Sequence, residues 1–229
     1  MKHLLIIPIL VAAFLANAQA PAATPFSLSL GPRAGYTTTS ISRYDAGRMD
    51  EVYSPLPGIE VGLQASMSVN DWLAIRANLA FVQRSHRMDR NLNYLDPVYT
   101  EHINNYIMLP VMADCSFGGE RIRGHLLAGA YAGYWLKAQR HGTTFWMTDY
   151  YVYFEPFDET LDFTNEDQRF NAGFTFGAAI SYAVNTKIGI NLDALYYYDL
   201  VSHHIGSPNL ADPRYLNTLS ITLSLSYKL

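Results

Sequence analysis

The chain has a single cysteine, Cys115, in 229 residues. An intramolecular disulfide is excluded, and a cysteine-based structural zinc site has no ligand set to draw on. What remains for Cys115 is the role of a small apolar residue facing lipid or a neighbouring side chain. Charge is scarce as well, at 16% of residues with a net of -4. No basic run of the kind that grips a phosphate backbone is present, which sets nucleic acid aside as a partner. No apolar run approaches the roughly 20 residues that a spanning helix needs, so any membrane crossing must be made by strands. An Asp-x-Asp-x-Asp-Gly loop is also missing, leaving calcium without a recognisable site, and no cofactor is expected.

One apolar stretch stands near the start. Lys2 precedes a run from Leu4 to Leu15, followed by Ala18, Gln19 and Ala20, the small-x-small pattern read by signal peptidase. At about a dozen residues the run is too short for an anchor, and no lipobox cysteine follows it. The reading is a signal peptide over 1–20 and one domain over 21–229.

Beyond that point the chain alternates with a period of two. Leu219, Ile221, Leu223, Leu225, Tyr227 and Leu229 interleave with Ser220, Thr222, Ser224, Ser226 and Lys228, the pattern of a strand with one apolar and one polar face. Ile59, Val61, Leu63, Ala65, Met67 and Val69 repeat it, as do Ile188, Ile190, Leu192, Ala194, Tyr196 and Tyr198. Eight strands are expected, at about 26–39, 57–69, 72–84, 100–117, 122–138, 168–182, 187–199 and 215–229. In the fifth, Gly124, Gly129 and Gly133 blur which face is apolar.

The connections alternate in length. Tight links at Asn70, Gly119 and Asn185 alternate with long ones at 40–56, 85–99, 139–167 and 200–214. This is the asymmetry of an outer-membrane barrel, with short periplasmic turns and long outer loops. On this reading Arg48, Met88, Trp146 and His203 face outward. A soluble lipocalin-like barrel or β-sandwich shares the alternation, with its apolar face turned inward. The membrane barrel is favoured because the polar face is mostly Ser, Thr and Gly with isolated charges such as Glu60, Arg76 and Asp193. The 17 tyrosines and 11 phenylalanines also suit interfacial girdles. The fold expected is all-β, a single antiparallel up-and-down transmembrane barrel, with outer-membrane lipid as its surroundings.

Four segments resemble the small outer-membrane β-barrel proteins of Bacteroidetes, the PorT-like or outer-membrane β-barrel domain proteins. Leu28 to Tyr36 is similar to the family's opening Gly-x-x-Ala-Gly strand through Gly31, Ala34 and Gly35. Tyr106 and Pro110 resemble its Tyr-x-x-x-Pro-Leu strand, and Gly129, Tyr131 and Gly133 its Gly-x-Tyr-x-Gly strand. Asn171, Gly173 and Gly177 resemble its Asp-x-Gly-x-x-x-Gly strand, with Asn171 where Asp is common. The chain closes on Leu229 where outer-membrane strands close on an aromatic; Tyr227 stands two positions earlier. The resemblance implies an outer-membrane location in a Gram-negative envelope, in a group that includes gliding and secretion-system components.

Three sets of residues are candidates for function. Arg33, Glu60, Gln64, Arg76 and Asn78 fall on the polar face of three successive strands. They are expected to form a lumen cluster in which Glu60 finds Arg33 or Arg76, closing an eight-stranded barrel too narrow for a pore. Trp146, Tyr150, Tyr151 and Tyr153, followed by Glu155, Asp158 and Glu159, offer an outer-loop surface for a partner protein or glycan. The first half of 139–167 is open to continuing the barrel strands above the membrane; the alternative to a binding surface is an interfacial aromatic belt with a solvated acidic turn. Ser202, His203 and His204, with Asp199 or Asp212 near in sequence, are the closest approach to a hydrolytic constellation, but no carboxylate stands at a recognisable spacing and solvated loop histidines are the simpler reading. A non-catalytic structural or interaction barrel is thus favoured over a lipid-modifying enzyme. Mass spectrometry of the protein from outer membranes should give a chain beginning at Pro21; an intact leader would overturn the cleavage reading.

Overall fold

A computed structural model describes residues 27–43, 51–90, 98–148, 151–164, 167–202 and 214–229; the expected leader, Arg48, Tyr150, His203, His204 and Asp212 lie outside them. Nine strands are present: β1 (Ser27–Arg43), β2 (Glu51–Ser68), β3 (Leu73–Arg90), β4 (Val98–Gly118), β5 (Ile122–Met147), β6 (Val152–Leu161), β7 (Phe170–Ala183), β8 (Ile188–Asp199) and β9 (Arg214–Lys228). All pairings are antiparallel. Each strand pairs with its neighbour in the chain, except that β5 pairs with β7 and β9 returns to β1. Eight strands therefore close a ring, and β6 pairs only with the far end of β5.

The tight turns are set by local chemistry. Asn70 Oδ1 accepts the backbone N–H groups of Trp72 and Leu73 at 3.0 and 2.7 Å. Asn185 Oδ1 does the same for Lys187 and Ile188, both at 2.8 Å. Such side-chain turns replace backbone bonds that the chain reversal would leave open. The third link is made by Gly118, at a φ of 119° that a side chain would strain.

The barrel is inverted relative to a soluble one. Its outer wall carries Leu30, Val61, Leu63, Leu126, Phe174, Ile180, Leu192 and Leu223, all exposed, while the lumen takes Arg33, Glu60, Arg76, Arg84, Asp193 and Asp199, all buried. The soluble lipocalin-like alternative is thereby overturned, since it needs the opposite facing. Aromatic side chains ring the apolar wall at both rims. Trp72, Phe117, Tyr182 and Tyr227 stand at the turn end, and Tyr36, Tyr134, Phe170 and Tyr198 at the loop end, as expected of residues with an apolar body at a lipid boundary.

Two expectations are corrected. The strands run beyond their expected limits, β2 starting at Glu51, β3 continuing to Arg90 and β5 to Met147. Met88, expected in a loop, lies in β3. The segment 139–167 is not a belt with an acidic turn: it is largely a hairpin, β5 pairing with β6 from Ala138↔Leu161 to Met147↔Val152. Above the apolar wall neither sheet face meets lipid, so the period of two fades although the hydrogen-bonded ladder continues. Charged cross-strand contacts replace it, such as Arg90 to Glu51 at 2.8 Å and His141 to Glu101 at 2.6 Å. In a Cys115→Ser background, Trp146→Cys should be labelled on intact cells by a membrane-impermeant maleimide and Asn185→Cys should not; the reverse pattern would invert the topology.

Candidate functional site

The lumen is filled by three charged layers. In the middle one, Arg33 Nη2 lies 2.8 Å from Glu60 Oε1 with both side chains fully buried. Register makes this contact possible. Arg33 stands opposite Gly62, and Glu60 opposite Gly35, so each long side chain faces a glycine and the two charges meet on the diagonal. A Cβ on Gly62 would overlap the Leu79 carbonyl oxygen, and one on Gly35 that of Ile221; the wall leaves no room for a side chain at either. Strand β9 completes the layer. Arg33 Nη2 donates to Thr222 Oγ1 at 2.8 Å, and Ser220 Oγ donates to Glu60 Oε2 at 2.6 Å.

At the turn end, Arg76 does not reach Glu60. Its Nη1 donates to Asp193 Oδ1 at 2.7 Å, and its Nη2 to Asp114. Asp114 in turn lies 2.8 Å from His125 Nδ1, and His125 Nε2 lies 2.8 Å from Ser181 Oγ. A polar cavity of about 130 Å³ opens here, lined among others by Gln64, Arg76, Asp114, Arg123 and His125. Gln64 also accepts from Ser224 Oγ at 3.4 Å. Asn78 is buried, and its side chain bonds to no described residue.

The loop-end layer is built on Arg84. Its Nη2 donates to Asp199 Oδ1 at 2.6 Å and to the Leu216 carbonyl, and its Nε to Thr218 Oγ1 at 2.8 Å. The Tyr131 hydroxyl donates to Asp199, and Asn171 Nδ2 donates to the other Asp199 oxygen at 2.9 Å. Asp199, weighed from the sequence as a partner for His203, is thus taken up by an arginine, a tyrosine and an asparagine of the lumen. Above it the Tyr106 and Trp135 rings stack at 5.9 Å.

Sequence reasoning missed Arg84, Asp114, His125 and Tyr131 as lumen partners. Asp114 and His125 stand on the inward parity of their strands, which is the signal that pointed to the others. The Asp114–His125–Ser181 chain has the hydrogen-bond order of a hydrolytic triad. Two features count against that use. The Asp114 carboxylate is also committed to Arg76, and Ser181 sits in a strand paired on both edges, where the backbone N–H groups are spent on the ladder instead of forming an oxyanion hole.

The outer candidate surface is the β5–β6 hairpin. Trp146, Tyr151 and Tyr153 are 63%, 66% and 55% exposed. Trp146 stands opposite Tyr153, Tyr151 and Tyr153 have ring centroids 6.1 Å apart, and Trp146 Nε1 donates to Glu155 at 3.0 Å. Arg140 pairs with Glu159 at 2.6 Å on the same hairpin. The structure therefore brings three of the four expected aromatic residues to one tip, with carboxylates beside them.

Removing one partner of a buried ion pair leaves an uncompensated charge and costs about 3–5 kcal/mol, whereas replacing both by apolar residues is often neutral. Glu60→Ala should therefore lower the temperature at which the folded gel band converts to the unfolded one. Arg33→Met combined with Glu60→Leu should recover most of that loss. A Glu60→Ala protein as heat-resistant as the wild type would refute the pairing. In planar bilayers the wild type should show no steady porin-like conductance.

The fold has solved counterparts. Neisserial surface protein A is 13% identical, with 91% of this chain and 100% of that one aligned at a TM-score of 0.47. For the outer membrane protein OprG from Pseudomonas aeruginosa the values are 11%, 88%, 95% and 0.51, and for the outer membrane protease OmpT from Escherichia coli 11%, 93%, 100% and 0.48. No curated protein sequence matches the chain. The sequence profile of the outer membrane protein beta-barrel domain matches residues 17–202. With its closed ring, inverted facing and paired aromatic girdles, the chain belongs to the outer membrane protein beta-barrel domain family and is a protein of the Gram-negative outer membrane.

Proposed function

We propose that this protein is a non-catalytic interaction component of the outer membrane, its barrel a plugged anchor and its working surface the β5–β6 hairpin. The observation that carries this reading is the exposure of Trp146, Tyr151 and Tyr153 above the apolar wall, beside Glu155. Large aromatic side chains dominate contact energies when a partner covers them. Isolated in water they confer nothing on a barrel already held together by its ladder. A partner protein or glycan is the occupant this surface suits. The Gly31–Gly35 and Gly129–Gly133 motifs support a place among PorT-like proteins of Bacteroidetes, and with it a secretion- or envelope-associated role. Residues 1–20 serve as the export signal.

A photo-cross-linking residue in place of Tyr153 in growing cells should capture a discrete partner, and Trp146→Ala should reduce that capture severalfold. Equal capture from Tyr153 and from the lipid-facing position of Leu63 would count against the hairpin. A hydrolase is the second reading, favoured by the Asp114–His125–Ser181 chain. A fluorophosphonate probe separates the two: the interaction reading expects no labelling, and labelling lost in both Ser181→Ala and His125→Ala would establish the enzyme instead.

A further inference from the structure

The wall of the barrel is interrupted where β5 changes partner. On the edge of β5 that faces β7 and β6, the ladder with β7 ends at Tyr134↔Phe170 and the ladder with β6 begins at Ala138↔Leu161. Residues 135–137 lie between the two. The register also shifts there, so that Trp135 and Ala138 both face inward while Leu136 and Lys137 are both exposed. The gap is closed by Arg169. Its carbonyl accepts the Trp135 N–H at 2.8 Å, and its Nε and Nη2 donate to the Trp135 carbonyl at 3.2 and 3.1 Å. The guanidinium is held between two rings, 4.7 Å from the Tyr134 centroid and 4.2 Å from that of Phe163.

This capping uses two of the five guanidinium N–H groups. The other three, on a cation fixed in place, have no carboxylate within salt-bridge distance among the described residues. Lys137, exposed three residues beyond Tyr134, is a second cation without a described ion-pair partner. Both stand at the loop-end rim of the apolar wall, the level at which lipid headgroups lie. Directly below is a groove of about 190 Å³ on the lipid-facing wall, lined among others by Leu79, Ile107, Leu109, Ala132, Tyr134 and Phe170. Its depth comes from small residues: Ala132 lies between Leu109 on β4 and Ala172 on β7, with the larger Tyr134 and Phe170 above. An open apolar depression beneath a cation that has no ion-pair partner among the described residues suits a molecule with an acyl tail and an anionic head.

We propose that the β5–β7 junction is a binding site for a phosphate-bearing membrane lipid, one acyl chain lying over Ala132 and the phosphate held by Arg169 with Lys137. Arg169 is already ordered by Trp135, Tyr134 and Phe163, so the lipid does not have to immobilise it, which favours affinity. Free phosphate shares the head chemistry but leaves the groove empty. The site is separate from the hairpin tip and does not depend on what the hairpin binds.

Native mass spectrometry of the full-length mature protein released from detergent tests this, with added phosphatidylglycerol, diacylglycerol of the same chains, or inorganic phosphate. One phosphatidylglycerol should be retained per protein, diacylglycerol should be retained much less, and inorganic phosphate should not displace the lipid. Arg169→Gln should weaken retention about fivefold, the equivalent of roughly 1 kcal/mol for one interfacial cation, and Arg169→Lys should keep most of it. Ala132→Phe projects into lipid and disturbs no lumen contact, so it tests the groove in a folded barrel and should abolish the adduct. Equal retention of diacylglycerol, displacement by inorganic phosphate, or adducts unchanged in both Arg169→Gln and Ala132→Phe would each overturn the proposal.

Discussion

Two ion pairs run from β3 to β8, which stand four places apart in the ring of eight and therefore on opposite walls of the barrel. Arg76 reaches Asp193 and Arg84 reaches Asp199, eight residues apart on β3 or about 26 Å along the strand. An eight-stranded ring is just narrow enough for side chains to meet across it. Once they meet, water is displaced and each charge needs an opposite charge and further donors or acceptors to offset its desolvation. Much of the rest of the lumen answers that requirement. Tyr131 and Asn171 turn to Asp199, His125 to Asp114, and Ser220 and Thr222 to the Glu60–Arg33 pair.

Narrowness also explains where glycine occurs. Arg33 and Glu60 each sit opposite a glycine whose backbone lies so close to the neighbouring strand that no side chain fits there, and the two charges meet on the diagonal between them. The four carboxylates Glu60, Asp114, Asp193 and Asp199 face three guanidiniums, Arg33, Arg76 and Arg84, with His125 as a further donor to Asp114. The result is a barrel held from inside as well as by its ladder, its lumen filled by side chains.

Strand β5 organises what happens above the membrane. It serves β4 along nearly its whole length, while its other edge passes from β7 to β6. The change of partner lifts the hairpin clear of the ring, which exposes Trp146, Tyr151 and Tyr153. The same change opens the short gap that Arg169 caps. The exposed aromatic tip and the cationic rim thus have a common structural origin. The lumen network below, which fixes Tyr131 on the same strand, gives both a rigid base.

The alternation in 219–229 and in 59–69 made strands and their two faces legible, and the unequal connections with the small polar face favoured an outer-membrane barrel over a soluble one. A period of two is imposed directly by lipid on one side and lumen on the other. The inward parity of Arg33, Glu60, Gln64, Arg76 and Asn78 was legible for the same reason. Which charges meet was legible only for Glu60, expected to find Arg33 or Arg76 and found with Arg33. Arg33 takes Glu60 because the register sets both opposite glycines, and Arg76 takes Asp193 because ring closure brings β8 across from β3; neither register nor closure has a local signal. The upper half of β5 was open to being read as a continued strand, and β6 was illegible, for a different reason. Above the lipid both faces see a polar surrounding, so the ladder survives while the pattern that announces it is lost. Sequence determined the membrane-facing wall, because each residue there answers to lipid alone; tertiary structure decided the lumen pairs, the hairpin and the Arg169 cap, because those depend on strands brought together from distant parts of the chain.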